Sequence, residues 1–292
     1  MIKTQITGIG DPFVYRVGDV YYMVATSAPD GFLCYKSENL VDWTKIGYCY
    51  RNSPWAENCF WAPEVYFRRG KYYMFYTARQ AKNHSLRIGV AVSDKPDGEF
   101  KDLIDGPLFD LGYAAIDATL LSDDDSKEYI YFARDCSENI INGVHTSQIY
   151  VAEIAPDYKS LLTEPVLVTT PELPYETSHD KNWQWNEGPV LLKKNGKYYL
   201  NYSVNCFDCA DYCVGCAVAD SPTGPFKKYA SPVLVKAENF SGPGHNSFFY
   251  DKEGKLMTAF HIHTDPAKPS GNRRACIAEA EITADGKFRI IL

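Results

Sequence analysis

The sequence lacks the features that mark membrane proteins and nucleic-acid-binding proteins. Its 292 residues contain no apolar run near the ~18 residues that a membrane-spanning helix needs. Positive charge is in the minority, with 30 Lys and Arg against 37 Asp and Glu, and the formal net charge is −7. Nucleic acids and anionic membrane surfaces attract basic patches instead. We therefore expect neither partner, and a neutral small molecule or glycan suits this composition better.

The first residues also lack the apolar core of a secretion signal, since they read "MIKTQITGIG". As it stands, the sequence predicts a protein of a cytoplasm-like compartment, although a trimmed secreted or periplasmic chain would look the same. The nine cysteines agree with a reducing compartment, because an odd number cannot all pair within one chain.

Four of these cysteines form the cluster "CFDCADYCVGC", at Cys206, Cys209, Cys213 and Cys216. The two CxxC pairs are separated by only three residues, fewer than the knuckles of a zinc ribbon require. The flanking segments are typical of two strands of one hairpin. We therefore favour thiols or a local disulfide at a hairpin tip over a zinc site.

Helical periodicity is nearly absent, and one hairpin pattern recurs instead. Each copy has a short apolar strand, a Gly- or Asp-rich turn and a second strand rich in Tyr, Val and Phe. The copies begin at Asp11, Ala62, Asp117, Glu187 and, more weakly, Asn246. Each is followed by another strand and a turn, and the unit recurs every 50–70 residues or so, as repeated four-stranded sheets do. The sequence therefore predicts an all-β, five-bladed β-propeller that forms a single domain over residues 1–292. A β-sandwich or jelly roll would not explain five copies that begin alike. We call the first residue of each copy its heading position.

Carboxylates occupy three of the five heading positions, at Asp11, Asp117 and Glu187. In a propeller the innermost strands line the central channel, so we expect these side chains to meet at one end of it. Acidic residues also precede strands as ordinary turn residues. Three carboxylates at heading positions that face one pocket, however, favour a functional role for these residues. Two carboxylates across a cleft are the groups that glycoside hydrolysis needs.

The position of each blade on the ring predicts the roles of the three carboxylates. The first and fourth blades are not neighbours on a five-fold ring, whereas the third and fourth are. A wide separation, about 6.5–9.5 Å, leaves room for a water molecule and gives inversion. We therefore assign Asp11 as general base and Glu187 as general acid. Asp117, beside Glu187, would raise the pKa of the acid by like-charge repulsion.

The longest irregular segment, Thr169 to Asn186, leads directly into Glu187. Long loops inside compact domains are usually functional. We interpret this one as a wall of the active site, with Trp183 and Trp185 as candidate sugar contacts.

Six motifs together resemble family 43 of the glycoside hydrolases. They are "DPFVYRVGDVYYMVAT", "WAPEVYFRRGKYYMFYTA", "IDATLL", "NEGPVLLKKNGKYYLNYS", "DSPTGPF" and "GPGHNS". The resemblance covers essentially the whole chain. It implies a five-bladed propeller, an inverting mechanism, and activity on arabinose- or xylose-containing plant polysaccharides and their oligomers. Some relatives act on galactan. The family's base, pKa modulator and acid fall on Asp11, Asp117 and Glu187.

The resemblance also implies further site residues. His245 of "GPGHNS" matches a histidine that reaches a calcium or other cation in the channel, and no cofactor is required for the chemistry. An arginine of the last blade approaches the substrate. Arg273 and Arg274 both qualify, and we favour Arg274. Phe60 and Trp61 match positions that often shape the sugar pocket.

Several alternatives stay open at this point. Many xylosidases of the family carry a C-terminal β-sandwich, whereas this chain ends at Leu292, so exo or endo action is left open. Sucrose- and fructan-cleaving enzymes share the propeller but retain configuration, and their "NDPNG" and "EC" patterns are absent. A non-catalytic carbohydrate-binding propeller would not need the three carboxylates. The sugar, the linkage and the oligomeric state do not follow from the sequence.

Overall fold

The computed structural model describes all 292 residues, and antiparallel strands make up most of it. Segments rich in Tyr, Val and Phe form these strands because such side chains pack well on a pleated surface. The first strand, β1 (Ile2–Thr7), precedes the five repeats. The structure contains no helix with the length and apolar character that crossing a membrane requires.

Each repeat forms one sheet, which we call a blade. Blade one contains β2 (Gly10–Val17), β3 (Val20–Thr26), β4 (Gly31–Ser37) and β5 (Thr44–Arg51). Blade two contains β6 (Ala56–Arg68), β7 (Lys71–Gln80), β8 (Leu86–Ser93) and β9 (Lys101–Asp102). Blade three begins with β10 (Ala115–Ser122) and β11 (Glu128–Arg134).

A small three-stranded sheet lies outside the blades. It is formed by β12 (Ile140–Ile141), β13 (Val144–Thr146) and β16 (Trp183–Gln184), and β13 pairs with β16 in parallel. Between its strands the chain completes blade three with β14 (Gln148–Glu153) and β15 (Val166–Thr169). The only helical segments are a 3₁₀ turn at Cys136–Glu138 and α1 (Pro174–Thr177).

Two blades complete the structure. Blade four contains β17 (Asn186–Lys194), β18 (Lys197–Val204), β19 (Cys213–Ala219) and β20 (Lys227–Lys228). Blade five contains β21 (Gly244–Tyr250), β22 (Leu256–His263), β23 (Arg273–Ile282) and β24 (Phe288–Ile291). The innermost strands β2, β6, β10, β17 and β21 contact one another in cyclic order, and β21 contacts β2. The predicted five-bladed propeller is confirmed.

Both ends of the chain complete blade five. Strand β1 pairs with the first part of β23, from Arg274 to Ile277, and β24 pairs with its last part, from Glu279 to Ile282. The outer edge of this blade is therefore one strand in two pieces, and the pairing of β1 with the last blade closes the ring.

The first strand of every blade carries the same β-bulge. At the bulge, the first strand advances by three residues from one pairing to the next, while the second strand advances by only two. The first strand of each blade therefore contains one extra residue. The residue in the bulge has a left-handed backbone, with φ between 44° and 58°. These five left-handed residues are Asp11, Ala62, Asp117, Gly188 and His245.

This register corrects two of the predicted headings. Asp11, Ala62 and Asp117 do occupy equivalent positions, but Gly188 is their counterpart in blade four, and Glu187 lies one residue earlier. In blade five the counterpart is His245 rather than Asn246. The proline that follows the bulge residue in three blades, at positions 12, 63 and 189, marks the correct alignment.

Candidate active site

A cavity of about 320 Å³ opens at the bulged ends of the first strands. Side chains from all five blades line it, and Asp11, Asp117 and Glu187 are among them. The three predicted carboxylates therefore meet around one hole. His245, Trp61 and Trp185 line the same cavity.

Asp11 is buried and surrounded by cationic and hydroxyl groups. Its Oδ1 accepts a hydrogen bond from Arg273 Nη1 at 2.9 Å, and its Oδ2 accepts one from Thr26 Oγ1 at 2.5 Å. His245 Nδ1 lies 3.4 Å from Oδ1. Burial acts to raise the pKa of Asp11, but the positive charge of Arg273, together with His245 and the Thr26 hydrogen bond, outweighs it and holds the pKa below its usual range. This carboxylate is ionised at any pH near neutrality.

Glu187 has the opposite environment. Burial raises its pKa well above the usual range, and the nearby carboxylates of Asp117 and Asp135 raise it further. The Tyr212 hydroxyl donates a hydrogen bond to Oε1 at 3.1 Å. Glu187 therefore keeps a proton under conditions in which Asp11 has lost its own.

The pKa of Asp117 lies between those of Asp11 and Glu187. Asp117 Oδ2 accepts a hydrogen bond from the backbone N–H of Gly188 at 3.0 Å, which attaches it to the residue that follows Glu187. Burial raises the pKa of Asp117 to about 6, with a further contribution from the charge of Asp11, while His245 opposes the shift. Near neutral pH, Asp117 is thus a negative charge held next to the strand that carries Glu187.

Two glycines provide the space for the groups that bind these carboxylates. Gly10 and Gly244 stand at the position that Glu187 occupies in blade four, one residue before the bulge. A Cβ on Gly10 would lie 2.1 Å from the Arg273 guanidinium, and one on Gly244 would lie 2.1 Å from the Tyr212 ring. Arg273 and Tyr212 therefore occupy space that any other residue would fill.

Tyr212 and His261 also connect Glu187 with Asp11. Their rings stack with centroids 5.4 Å apart and an interplanar angle of 3°. His261 Nδ1 accepts a hydrogen bond from the backbone N–H of Asp11 at 3.2 Å. Burial and the charge of Arg273 lower the pKa of His261, so the ring stays neutral and keeps this lone pair available.

Apolar and aromatic side chains also line the cavity. Trp61, Leu86, Ile116, Trp185 and Phe207 contribute to it. Flat aromatic faces of this kind suit sugar rings, whose C–H faces are apolar. Trp183 does not line the cavity. Its ring stacks on the rings of Trp185 and His145, with centroid distances of 6.3 Å and 3.8 Å, and so supports the position of Trp185.

A buried ion pair anchors the wall segment, Thr169 to Asn186. Lys228 Nζ lies 2.7 Å from Glu176 Oε2 and 3.1 Å from Asn186 Oδ1. Glu176 also accepts hydrogen bonds from the Tyr202 hydroxyl and from the backbone N–H groups of Glu172 and Leu173. This network fixes the end of the segment directly beside Trp185 and Glu187.

Two predicted site residues lie elsewhere. Phe60 is buried in the core between blades one and two, where it packs on Phe32 and Tyr76. Arg274 donates a hydrogen bond to the Thr4 carbonyl and does not line the cavity. Successive residues of a strand point to opposite faces, so Arg273 faces the cavity and Arg274 the outer strand. Our preference for Arg274 is therefore corrected to Arg273.

Sequence reasoning missed several residues of the cavity. Tyr212 and Phe207 come from the loop between β18 and β19, and Arg79 and Asp135 from the ends of second strands. The carboxylate of Asp135 is held by the backbone N–H of Ser137 at 2.9 Å. No repeat pattern marks these positions. Asp135 in "ARDC" carried one signal, since it is an acidic residue directly after a buried strand.

The cysteine cluster spans β19 and the loop before it. All nine cysteines are free thiols, and no group of three or more His, Cys, Asp or Glu side chains is arranged to hold a metal ion. Cys213 and Cys216 lie in β19, while Cys206 and Cys209 lie in the loop before it. Cys206 lines the cavity, and burial raises its pKa to about 12.

Known proteins match the chain over nearly its full length. The family model "Glycosyl hydrolases family 43" matches residues 6–288. The crystal structure of a thermostable family-43 glycoside hydrolase is 43% identical, with a TM-score of 0.95, over 99% of this chain and 96% of that one. A beta-D-galactofuranosidase of Aspergillus niger is 31% identical over an alignment of 264 residues that covers 84% of this chain and 70% of the relative. A xylosidase/arabinosidase of Bacteroides ovatus is 31% identical over an alignment of 252 residues that covers 80% of this chain and 74% of the relative. This chain belongs to family 43 of the glycosyl hydrolases.

Proposed function

We propose that the protein is an inverting glycoside hydrolase that cleaves α-L-arabinofuranosyl or β-D-xylosyl bonds of plant oligosaccharides and polysaccharides. The observation that carries this proposal is the pair of carboxyl groups in one cavity with opposite pKa shifts. Asp11 is held ionised by Arg273, and Glu187 is held protonated by burial and its acidic neighbours. Titratable pairs whose environments separate their pKa values divide into a base and an acid.

In this mechanism Glu187 protonates the oxygen of the leaving group. Tyr212 occupies Oε1 of Glu187 as a hydrogen-bond donor, so the proton resides on Oε2, which is free to face the glycosidic oxygen. Asp11 accepts a proton from a water molecule on the opposite face of the sugar as that water attacks the anomeric carbon. Inversion follows because the water and the leaving group are on opposite faces.

Asp117 supports the acid rather than reacting. Its negative charge beside Glu187 favours the protonated form of that residue. Rates should therefore fall at low pH as Asp11 takes up a proton, and at high pH as Glu187 loses one. The active range lies between the lowered pKa of the base and the raised pKa of the acid.

The sugar preference is supported by the names of the relatives and by carbohydrate chemistry. The two curated relatives are named for galactofuranose and for xylose or arabinose. An α-L-arabinofuranoside has the ring of a β-D-galactofuranoside without its terminal carbon, so one pocket can accept both. A terminal arabinofuranosyl group is therefore the first substrate to test, followed by β-D-xylosyl and β-D-galactofuranosyl groups.

A cation beside His245 stays a prediction. His245 lies next to Asp11, but the surrounding side chains alone do not form a metal-binding group, so a bound cation would be held largely by solvent. Nothing in the proposed proton transfers depends on it.

The test is hydrolysis of the three glycosides. Proton NMR identifies which anomer of the free sugar is released first. We expect the inverted anomer, and a retained one would contradict the mechanism. Glu187→Gln should lose about 10²–10⁴-fold on an unactivated oligosaccharide but much less on a nitrophenyl glycoside, whose leaving group needs no proton. Asp11→Asn should lose activity on both. Sugar binding by the unmodified protein without any hydrolysis would instead favour the non-catalytic carbohydrate-binding alternative.

A further inference from the structure

A ring of hydrogen bonds connects each blade to the next at the level of the bulges. The second strand of every blade places one residue directly opposite the residue before the bulge. In four blades this side chain accepts a hydrogen bond from the backbone N–H of the next blade's left-handed residue. The four pairs are Thr26 with Ala62 at 2.8 Å, Thr77 with Asp117 at 2.9 Å, Ser203 with His245 at 2.7 Å and His261 with Asp11 at 3.2 Å.

Blade three breaks this pattern. The equivalent residue is Ala133, which is fully buried and has no polar side chain. The N–H of the next left-handed residue, Gly188, is instead bound by the carboxylate of Asp117, at 3.0 Å. The carboxylate thus takes the place of the missing hydroxyl.

Blade one provides the internal comparison, because Asp11 has the same backbone position as Asp117. There the Thr26 hydroxyl lies between the two groups, since it donates to Asp11 Oδ2 and accepts from the N–H of Ala62. Asp11 is therefore separated from blade two by one hydroxyl, and its other oxygen binds Arg273. Asp117 touches blade four directly, at the residue next to Glu187.

We propose that Ala133 is a positioning residue, because its lack of a polar group makes Asp117 the acceptor of the Gly188 N–H and so holds that carboxylate beside Glu187. The inference rests on the proposed function, in which Asp117 keeps Glu187 protonated. It assigns to a small apolar residue the difference between two aspartates with the same backbone geometry.

The decisive variant is Ala133→Ser, with Ala133→Gly as the matched control that leaves the gap without a hydroxyl. The serine hydroxyl should separate Asp117 from Gly188 as Thr26 separates Asp11 from Ala62. Glu187 would then lose its proton more readily. On an unactivated arabino- or xylo-oligosaccharide, we expect the alkaline limb of kcat/KM to move down by on the order of half a pH unit. The acidic limb, which depends on Asp11, should stay in place. An unchanged alkaline limb in Ala133→Ser, or an equal shift in Ala133→Gly, would overturn the proposal.

A measurement on the unmodified protein needs neither activity nor a folded variant. The amide resonance of Gly188 should move with pH around the pKa of Asp117, about 6, because a titrating carboxylate accepts its hydrogen bond. The amide of Ala62, bound to the neutral Thr26 hydroxyl, is the control. A Gly188 amide that does not respond more than that of Ala62 contradicts the inference even if hydrolysis is observed. A responsive amide in a protein that hydrolyses none of the glycosides would contradict only the proposed function.

Discussion

Single residues without side chains make room for the site. Gly10 and Gly244 take the position that Trp61, Ile116 and Glu187 fill in the other blades. Arg273 and Tyr212 enter the space so created, where Arg273 binds the carboxylate of Asp11 and Tyr212 binds the carboxyl group of Glu187. The backbone repeats fivefold, but the side chains of these positions do not, so the site is asymmetric.

The substitution Gly10→Ala tests this arrangement at its most direct point. The new Cβ would overlap the Arg273 guanidinium, which can move because it ends a flexible side chain. Asp11 would lose its strongest stabilising charge, and its pKa would rise. Since the proposed mechanism requires an ionised Asp11 as the base, we expect the acidic limb of kcat/KM to move up by on the order of one pH unit. The melting temperature should also fall, because the buried Asp11 carboxylate loses part of its ion pair.

Gly271→Ala is the matched control for that experiment. Its new Cβ would meet only the Phe207 ring, at an ordinary contact distance of 3.5 Å. We expect no movement of the acidic limb in this variant. A Gly10→Ala profile that superposes on that of the unmodified enzyme would show that Arg273 does not set the protonation of Asp11.

Residue identity could be predicted from the sequence only where a repeat marked it. Asp11 and Asp117 were found because hairpins begin at both. Arg273 could not be distinguished from Arg274, nor Trp61 from Phe60, because neighbours in a strand face opposite sides and the sequence does not give the face. Tyr212 and Asp135 come from loops and strand ends, where no periodicity points to them.

At the scale of elements, the sequence predicted the hairpins better than their register. Strands β17 and β18 and the turn between them follow the pattern of Tyr and Val residues and the Asn195-Gly196 turn. Aligning on the acidic residue of each copy placed Glu187 one position too late. The bulge was not visible, because an extra residue in one strand changes the register without changing the composition.

The wall segment depends on its buried ion pair. Lys228→Met should leave the Glu176 carboxylate buried without its cation, at a cost of about 3–5 kcal/mol in the free energy of unfolding. The side chains of Lys228 and Glu176 are 5% and 0% exposed, so solvent cannot replace the lost partner. Because the segment carries Trp185, KM should rise as well. Urea denaturation and steady-state kinetics measure the two effects.

Two further variants separate the pair from its charges. Lys228→Met combined with Glu176→Gln removes both charges and should recover part of the lost stability. Lys197→Met breaks an exposed pair with Asp220 and should cost about 1 kcal/mol or less. Equal losses in Lys197→Met and Lys228→Met would argue against a special role for the buried pair.

At the scale of the whole molecule, the divided outer strand of blade five determines how the ring is closed. Ile2 pairs with Ile277, and Ile291 pairs with Glu279, so the two chain ends meet two residues apart along β23. That spacing is about 7 Å. A circular permutant that joins Leu292 to Met1 through one or two glycines therefore needs no change in the fold.

We expect such a permutant, opened between the exposed residues Asp125 and Ser126, to keep its activity and a melting temperature within roughly 5 °C of the original. The matched control is the same permutant without residues 1–7, which leaves part of β23 unpaired. It should melt at a clearly lower temperature and aggregate, because an open sheet edge pairs with other chains. Equal stability of the two permutants would mean that β1 does not close the ring.

The five identical bulges have a consequence for how new chemistry can arise on this scaffold. Every blade has the same left-handed position, and the side chains of Asp11, Asp117 and His245 extend from it into the cavity. In blade two the residue at this position is Ala62, whose side chain is only a methyl group. Aspartate and asparagine tolerate that backbone better than alanine does. Position 62 is therefore the natural place to install an additional acid, base or amide in this ring of equivalent positions.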